Sequence, residues 1–593
     1  MVAEETAYLF FLVTQTLVAV VTCELQLFTN HYVAEVEGGE REARALAQHY
    51  DLRLMETTLF PNFYHFMDNR QPKVRHQPSW RLTRTIKGHR KVKYVEQQVL
   101  TPRLLRDYRV QKYGFHEGIK HSSPDFNDPY YDRLWYLHGR GLLKAGKGAA
   151  QNINVEPVWN RHITGRGVVL FVLDDGLQSQ NKDIASNYES INDWDVSDIN
   201  HPLPTAAPKK SEDYHGTYCA ATIAGVANNS FCGVGVAFNS KIGGIRVLGK
   251  RILTDMQESM ALRLWLSNGD VASASWGPKD NGKTVEGPKR LAAKALHIAI
   301  TEGRAGKGAI LVWAAGNGGI YGDNANMDGY ASSIYTITIG ALSYDGSSCI
   351  YSEPGASVMA SIPVSGFALG AIGISVVVPN LDGTCRENFQ GTSAAAPIAA
   401  GVVALMLEAN PELTWRDVQH LIVLTAKTSG NRDTILRNGA GFRYSLKQGF
   451  GCLNADLIVH AAEHWQNVPP QRTEIYGTNF VERSIRLPHG NTTFFIRVPG
   501  SKIRSLEHVV LYLTIEHNYR GALEIFLTSP SGTVSQVLTK RAMDDSKKGF
   551  VSWPFMSVHF WNEKPEGVWT VTVGNSAHST GQLTNAKLRL YGH

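Results

Sequence analysis

Four short segments carry the residue types that acyl-transfer chemistry requires, in the chain order Asp, His, Asn, Ser. They are Val172-Leu173-Asp174-Asp175-Gly176, His215-Gly216-Thr217, Ala315-Gly316-Asn317-Gly318-Gly319 and Gly391-Thr392-Ser393-Ala394-Ala395-Ala396-Pro397. A serine hydroxyl is a poor nucleophile until a base takes its proton, so Ser393 requires a partner such as His215. A buried carboxylate, here Asp174, would fix the imidazole tautomer and stabilise the imidazolium formed during attack. The tetrahedral intermediate carries a new oxyanion, which the Asn317 amide and the backbone N–H of Ser393 would bind. Any one segment is weak evidence, because Gly-Thr-Ser occurs by chance. All four in this order specify a serine nucleophile with a full supporting set.

The surrounding residues supply elements able to position that set. The run Gly167-Val168-Val169-Leu170-Phe171-Val172-Leu173 is apolar throughout, as expected of a buried parallel strand ending at Asp174. Ala309-Ile310-Leu311-Val312-Trp313 reads as a second such strand, delivering Asn317 on a glycine loop. Small and apolar residues follow both His215 and Ser393, predicting core helices whose first turns carry them. A helix N-terminus also favours an oxyanion.

Composition agrees. A chain of 593 residues with 43% hydrophobic content predicts two or three domains with large cores. The net charge of +6 is small for this length and has no basic block, so no nucleic-acid partner is expected. Residues 8–22 form an apolar stretch, with Val21 and Cys23 as small residues before a cleavage point. They read as a secretory signal peptide over 1–23, or an uncleaved anchor, although Glu4 and Glu5 precede them. No later run reaches the roughly 20 apolar residues of a membrane span, so a soluble mature product is expected.

The ordered segments, together with Ser273-Ala274-Ser275-Trp276-Gly277-Pro278, Asp280-Asn281-Gly282-Lys283-Thr284-Val285 and Leu413-Thr414-Trp415-Arg416-Asp417-Val418-Gln419-His420, resemble the kexin/furin-type proprotein convertases of the subtilisin superfamily. Asn228-Asn229-Ser230-Phe231-Cys232 and Ile337-Thr338-Ile339-Gly340-Ala341 most resemble the family's seventh mammalian type, which has a membrane anchor after the last domain; the expectation is either a truncated chain, whose full form would be anchored, or a soluble relative. The resemblance implies a small α+β inhibitory propeptide over 24–106 and a linker over 107–127. A subtilisin-like α/β catalytic domain with a doubly wound, mostly parallel sheet follows over 128–458, then a β-sandwich P domain over 459–593. Short alternating strands beyond residue 466, among them Phe494-Phe495-Ile496-Arg497-Val498, fit that last part.

The same resemblance assigns pockets. A substrate arginine needs buried carboxylates in charge-assisted geometry. By family match, Asp280 and Asp328 face the residue before the cut, Asp175, Glu212 and Asp213 the second residue back, and Glu258 and Glu286, beside Tyr330, the fourth. The loop at Lys250-Arg251-Ile252 is basic where relatives carry an acid. Calcium is implied as a cofactor. One site would use Asp128, Asp183, Asn229 and the carbonyls of Val226, Phe231 and Gly233; a second would use Asp280, Asp323 and Glu353. A further family site is weakened, since Asp195 remains while Asn200 and Pro202 stand where acids are usual.

Six cysteines suit a secreted protein with few bridges. Cys232 and Cys385 match a family disulfide, Cys219 is expected as a buried thiol, and Cys349 and Cys452 have no assigned partner. Asn491-Thr492-Thr493 is a glycosylation sequon. Arg103-Leu104-Leu105-Arg106 places arginines at the fourth and first positions before a cut, so self-cleavage after Arg106 fits the acidic pockets. Arg81-Leu82-Thr83-Arg84 offers a second, internal cut after Arg84. Ile119-Lys120-His121, where the family usually matures, lacks a multibasic site, and Asp68 stands where the family has a pH-sensing histidine, with His65 nearby. The expectation is a calcium-dependent secretory serine endoprotease that cuts precursors after Arg-X-X-Arg or Lys/Arg-Arg and is inhibited by its own propeptide. The alternatives are an inactive precursor-binding relative and a broad-specificity secreted subtilase.

Overall fold

The structure, a computed structural model, describes residues 26–108, 126–139, 150–200, 202–365, 375–430, 432–479 and 484–593. The expected signal segment and most of the expected linker lie outside these residues. The chain divides into two compact units, one comprising residues up to Thr101 together with Ile252–Met256, the other Pro102–Arg251 with Gln257–His593.

The first unit is a small α+β fold. Its antiparallel sheet runs Ile252–Leu253, Val92–Pro102, Leu27–Val36, Phe63–Met67, Arg53–Phe60. The helix Gly39–His49 buries Ala43, Leu46 and Ala47, the i, i+3, i+4 stripe of an amphipathic helix. They pack with Ile86 of the helix Trp80–Lys87 against Tyr32, Ala34, Val36 and Phe66. Arg84, expected as an internal cleavage point, is exposed in the last turn of that second helix. A protease reads an extended chain, so cutting there requires the helix to open. Asp68 accepts from Arg70 at 2.8 Å and Gln71 at 2.7 Å. His65 is fully buried, with its Nε2 2.7 Å from His31 Nδ1.

The second unit is built on a seven-stranded sheet in the order Ala360–Ser365, Thr336–Ser343, Ile310–Ala314, Val271–Ala274, Val169–Asp174, Lys241–Arg246, Trp194–Asp195, with every neighbour pair parallel. Burial on both faces explains why its central strands are apolar at successive positions. The helices His215–Ala224 and Thr392–Ala409 cross this core, and every residue of the first and nearly all of the second are buried. Thr392–Ala409 has the length and hydropathy of a membrane span, yet 89% of it is inside the protein, as for a core helix. Asp174 ends its strand, and Asn317 follows the end of another, so both lie at the carboxyl edge where open α/β sheets hold their sites. Cys232 and Cys385 form a disulfide. Among the described residues, Cys219, Cys349 and Cys452 are free buried thiols.

Beyond residue 466 two antiparallel sheets face each other. One contains Arg472–Asn479, Gly581–Gly592, Leu506–Glu516 and Phe550–Ser557; the other Gly490–Val498, Gly567–Asn575, Leu523–Thr528 and Val534–Leu538. The alternation of Leu523, Ile525 and Leu527 inward follows the period of two. Asn491 is exposed on the edge strand Gly490–Val498. The sandwich is fastened to the catalytic part by buried polar contacts. Asn326 Nδ2 donates to the carbonyls of Val537 and Met556, both at 2.9 Å. Arg416 and His420 of the helix Trp415–Thr425 meet the buried carboxylate of Glu507 at 3.0 Å. Burial disfavours that charge, but His420, His593 and Arg416 outweigh it and hold the Glu507 carboxyl far below its usual range.

Candidate active site

His215 opens its helix and turns Nδ1 to Asp174, 2.9 Å from Oδ1 and 3.0 Å from Oδ2. Both side chains are buried, and among the described residues the buried Nε2 of His215 has no hydrogen-bond partner. Burial opposes the imidazolium, yet the Asp174 carboxylate prevails and raises the His215 pKa well above 6.5. Ser393 lies in the first turn of its helix, with its hydroxyl donating to the Ser275 carbonyl at 3.3 Å. Attack therefore requires the hydroxyl to swing from Ser275 to His215 Nε2, a bond that commonly tightens only with substrate engaged.

The chain itself occupies this site. Leu104–Leu105 pairs antiparallel with Trp276–Gly277, Arg106 N–H donates to Ser275 at 3.0 Å, and Arg103 N–H to Arg251 at 2.9 Å. Residues 103–106 are thus held as an extended edge strand, the mode by which proteins bind peptides through main-chain bonds. The Arg106 carbonyl accepts from the Ser393 N–H at 3.1 Å and from Asn317 Nδ2. Asn317 is oriented for this because its Oδ1 accepts from both Thr392 N–H and Thr392 Oγ1 at 3.0 Å. Gly391, at φ +94°, leaves the carbonyl room: a Cβ there would stand 2.4 Å from the Arg106 oxygen.

Both arginine side chains are buried in acid-lined pockets. Arg106 bonds Asp328 through Nη2 and the Ala314 carbonyl through Nη1, and its Nε lies 3.5 Å from Asp280. Gly277 forms the floor, since a Cβ there would sit 2.2 Å from Arg106 Nη2. Arg103 Nε is 2.6 Å from Glu258, its Nη1 bonds Glu286, and its guanidinium lies 5.8 Å over the Tyr330 ring. Tyr330 is itself held by its hydroxyl on Glu258 at 2.6 Å and by stacking on Trp313. The two pockets share a frame, because the backbones of Glu286 and Asp328 are bridged. Burial disfavours both guanidinium charges, but the carboxylates raise both pKa values above the ordinary one.

The three acids expected around the second residue back each have partners within the chain. Asp175 accepts the His215 and Gly216 N–H groups at 3.3 and 2.8 Å, capping the helix that carries the base. Asp213 pairs with Arg246 at 2.6 Å, and Glu212 is exposed beside Lys210. Leu105 is the second residue back in this chain's own segment.

The expected calcium ligands fall in two groups. Asp128 accepts the Asn228 N–H at 2.7 Å, Asn229 Nδ2 lies 2.8 Å from Asp183 Oδ1, and the Val226 N–H bonds the Asp183 carbonyl. Burial pushes the Asp183 carboxyl up to about 7, and neighbouring Asp128 adds to the push. In the second group, burial raises Glu353 well above its usual range, with Asp323 and Asp280 acting in the same direction. Buried carboxylates with neighbouring oxygen atoms are donors of the type a hard divalent cation takes. The second group already has one cation: Arg541 from the sandwich is buried against Asp323 at 3.0 Å. At the weakened third position, Asp195 pairs with Lys209 at 2.5 Å and Arg246 at 3.1 Å, so side-chain cations supply its counter-charge.

Comparison with known proteins agrees with this architecture. The Subtilase family model matches residues 165–451, the Peptidase S8 pro-domain 31–106 and the Proprotein convertase P-domain 506–590. Neuroendocrine convertase 2 of Rattus norvegicus is 38% identical, over 96% of this chain and 90% of its own. Proprotein convertase subtilisin/kexin types 5 and 6 of Homo sapiens are also 38% identical, over 96% and 95% of this chain. This chain spans only 30% of the length of type 5 and 58% of type 6. Three types at equal identity define a group rather than a type within it. Among solved structures, a serine protease of Aeromonas sobria has TM-score 0.69 at 20% identity, covering 82% of this chain and 99% of its own. Fervidolysin from Fervidobacterium pennivorans has TM-score 0.56 at 15% identity, covering 87% and 85%. These two likenesses concern the fold.

Proposed function

The chain belongs to the proprotein convertases of the subtilase family, and on that footing we propose that it is a calcium-dependent serine endoprotease cutting precursor proteins after Arg-X-X-Arg or Lys/Arg-Arg. The observation that carries this reading is the chain's own Arg106: its carbonyl is bonded by Ser393 N–H and Asn317 while its side chain and that of Arg103 are neutralised by Asp328, Asp280, Glu258 and Glu286. A degradative subtilase has no use for four carboxylates at the first and fourth positions. An inactive relative has no use for an oriented oxyanion pair.

In the reaction, Ser393 attacks the carbonyl of the residue in the first pocket as His215 Nε2 takes its proton. Asp174 holds the imidazole by Nδ1 and offsets the charge that forms. Asn317 and the Ser393 N–H bind the oxyanion, and His215 returns the proton to the departing amine. Water then repeats the sequence to release the acyl group. The Arg106–Asp107 bond is the propeptide's own cleavage point on this reading, and the segment before it is the first inhibitor. Calcium at Asp128/Asp183/Asn229 and at Asp280/Asp323/Glu353 would neutralise buried carboxylates and stiffen the loops bearing the first pocket. The disulfide and the apolar N-terminal stretch support action in the secretory lumen or after secretion.

A peptide-amide assay tests the proposal. Fluorogenic Arg-X-X-Arg should be hydrolysed in calcium far faster than the same peptide with Leu before the amide, and a chelator should abolish the reaction. Equal rates on Arg and Leu would overturn it.

A further inference from the structure

Past the cut point the described residues make a contact that the two arginine pockets do not use. Tyr108, the second residue after Arg106, stacks on Tyr351 with ring centroids 4.4 Å apart and planes inclined by 24°, within the geometry that aromatic pairs favour. Tyr351 is fully buried and immobilised from two sides. Its hydroxyl oxygen accepts the Gly391 N–H at 3.3 Å, two residues before Ser393. Its carbonyl accepts the Gly319 N–H at 2.9 Å, two residues after Asn317. The ring is therefore part of the framework that presents the nucleophile and the oxyanion donor, not a loop ornament. The backbone of the bound segment is also constrained there, since a Cβ on Gly391 would stand 2.9 Å from the Tyr108 nitrogen. Burial raises the Tyr108 hydroxyl, with Tyr321 and Cys349 close enough to add to it, and burial raises the Tyr351 hydroxyl further. Both rings meet as neutral phenols.

We infer that Tyr351 forms a recognition site for the second residue after the cut, and that this site selects a planar aromatic side chain in the precursor. The inference rests on the endoprotease reading, and extends its substrate class from the basic residues before the bond to one residue beyond it. Tyr351 acts here on binding of the leaving segment, whereas Ser393, His215 and Asn317 act on the reacting atoms.

The test uses the full chain and internally quenched peptides Arg-X-X-Arg-Asp-Z, with Z as Tyr, Phe, Leu or Ala, beside the Arg-X-X-Arg amide that has no residue Z. Aromatic Z should exceed Ala in kcat/KM by about two- to tenfold, with Leu between. Tyr351→Phe should keep that ratio, and Tyr351→Leu should bring it close to one. The wild-type series stands without the variants, should Tyr351→Leu fold poorly. Equal rates for Tyr and Ala, with the amide still cleaved, overturn the aromatic site and leave the endoprotease reading intact. No cleavage of any multibasic peptide removes both.

Discussion

Asp328→Asn removes one negative charge from the first pocket while keeping the side chain's shape. Asp328 Oδ1 accepts the Tyr330 N–H at 2.7 Å, and an asparagine oxygen can continue to do so. What is lost is the charge facing Arg106 Nη2, at a carboxylate only 5% exposed. Truncating one partner of a desolvated, hydrogen-bonded charge pair costs about 2–5 kcal/mol. Asp280, 3.5 Å from Arg106 Nε, and the Ala314 carbonyl remain, so the guanidinium is not left alone. The lower part of the range applies, about 2–3 kcal/mol, or about 30- to 150-fold in kcat/KM on Arg-X-X-Arg. Asp280→Asn would be a poorer probe, because Asp280 also accepts the Asn317 N–H at 2.7 Å and is one of the proposed ligands of the second calcium. The assay is kcat/KM on amides with Arg, Lys or Leu before the bond, normalised to active sites titrated with a serine-directed acylating reagent. The loss should fall on Arg, and rates on Leu should stay low and unchanged. A loss below threefold on Arg, or an equal loss on all three, would refute charge recognition by Asp328.

Asn317→Ala should lower kcat by about 10²–10³ with little change in KM, the magnitude of the corresponding donor in subtilisin, and steady-state kinetics would show it. Arg541→Met leaves Asp323 buried without its guanidinium, while Asp544 keeps Arg520 at 2.7 Å; stability should fall by about 3 kcal/mol, the low end for breaking a buried pair, and added calcium should raise the variant's Tm by more than that of the wild type. Burial pulls His508 down to about 4 and His559 to about 3, below the roughly 6.5 of an unfolded chain. The unfolded state therefore binds protons first on acidification, so this contribution is complete above pH 6.5 and drains away as pH falls towards 4. Each histidine should cost about 2 kcal/mol at pH 5; the Tm of the sandwich should drop between pH 7.5 and 5, and His508→Leu should remove about half of the drop.

The chemistry of the site was legible because it is local. Asp174, His215, Asn317 and Ser393 each sit where an apolar run meets glycine or small residues, and those patterns also specify the strand ends and helix starts that position them. The arginines at 103 and 106 were legible as spacing. Contacts between distant segments were not. Nothing in the sequence around Arg541 signals Asp323, which lies 218 residues earlier. The phrase at 413–420 carries a family pattern, but only the fold reveals that Arg416 and His420 converge on Glu507 and fasten the sandwich. Asp175 was placed beside the second pocket by family resemblance alone, and only the fold reveals that its oxygens also meet the first turn of the next helix. The pairing of Lys209 with Asp195 at 2.5 Å likewise emerges only from the fold. The stacking partner Tyr351 had no signal beyond being aromatic.

The most direct measurement of the central claim is the mass and N-terminal sequence of the wild-type chain and of Ser393→Ala, each expressed alone in a protease-deficient secretory host. Self-processing by this site predicts a wild-type product beginning at Asp107 and an intact Ser393→Ala precursor still carrying the segment through Arg106. A Ser393→Ala chain cut between Arg106 and Asp107 as efficiently as wild type, or a wild-type chain left whole at that bond, would contradict the account.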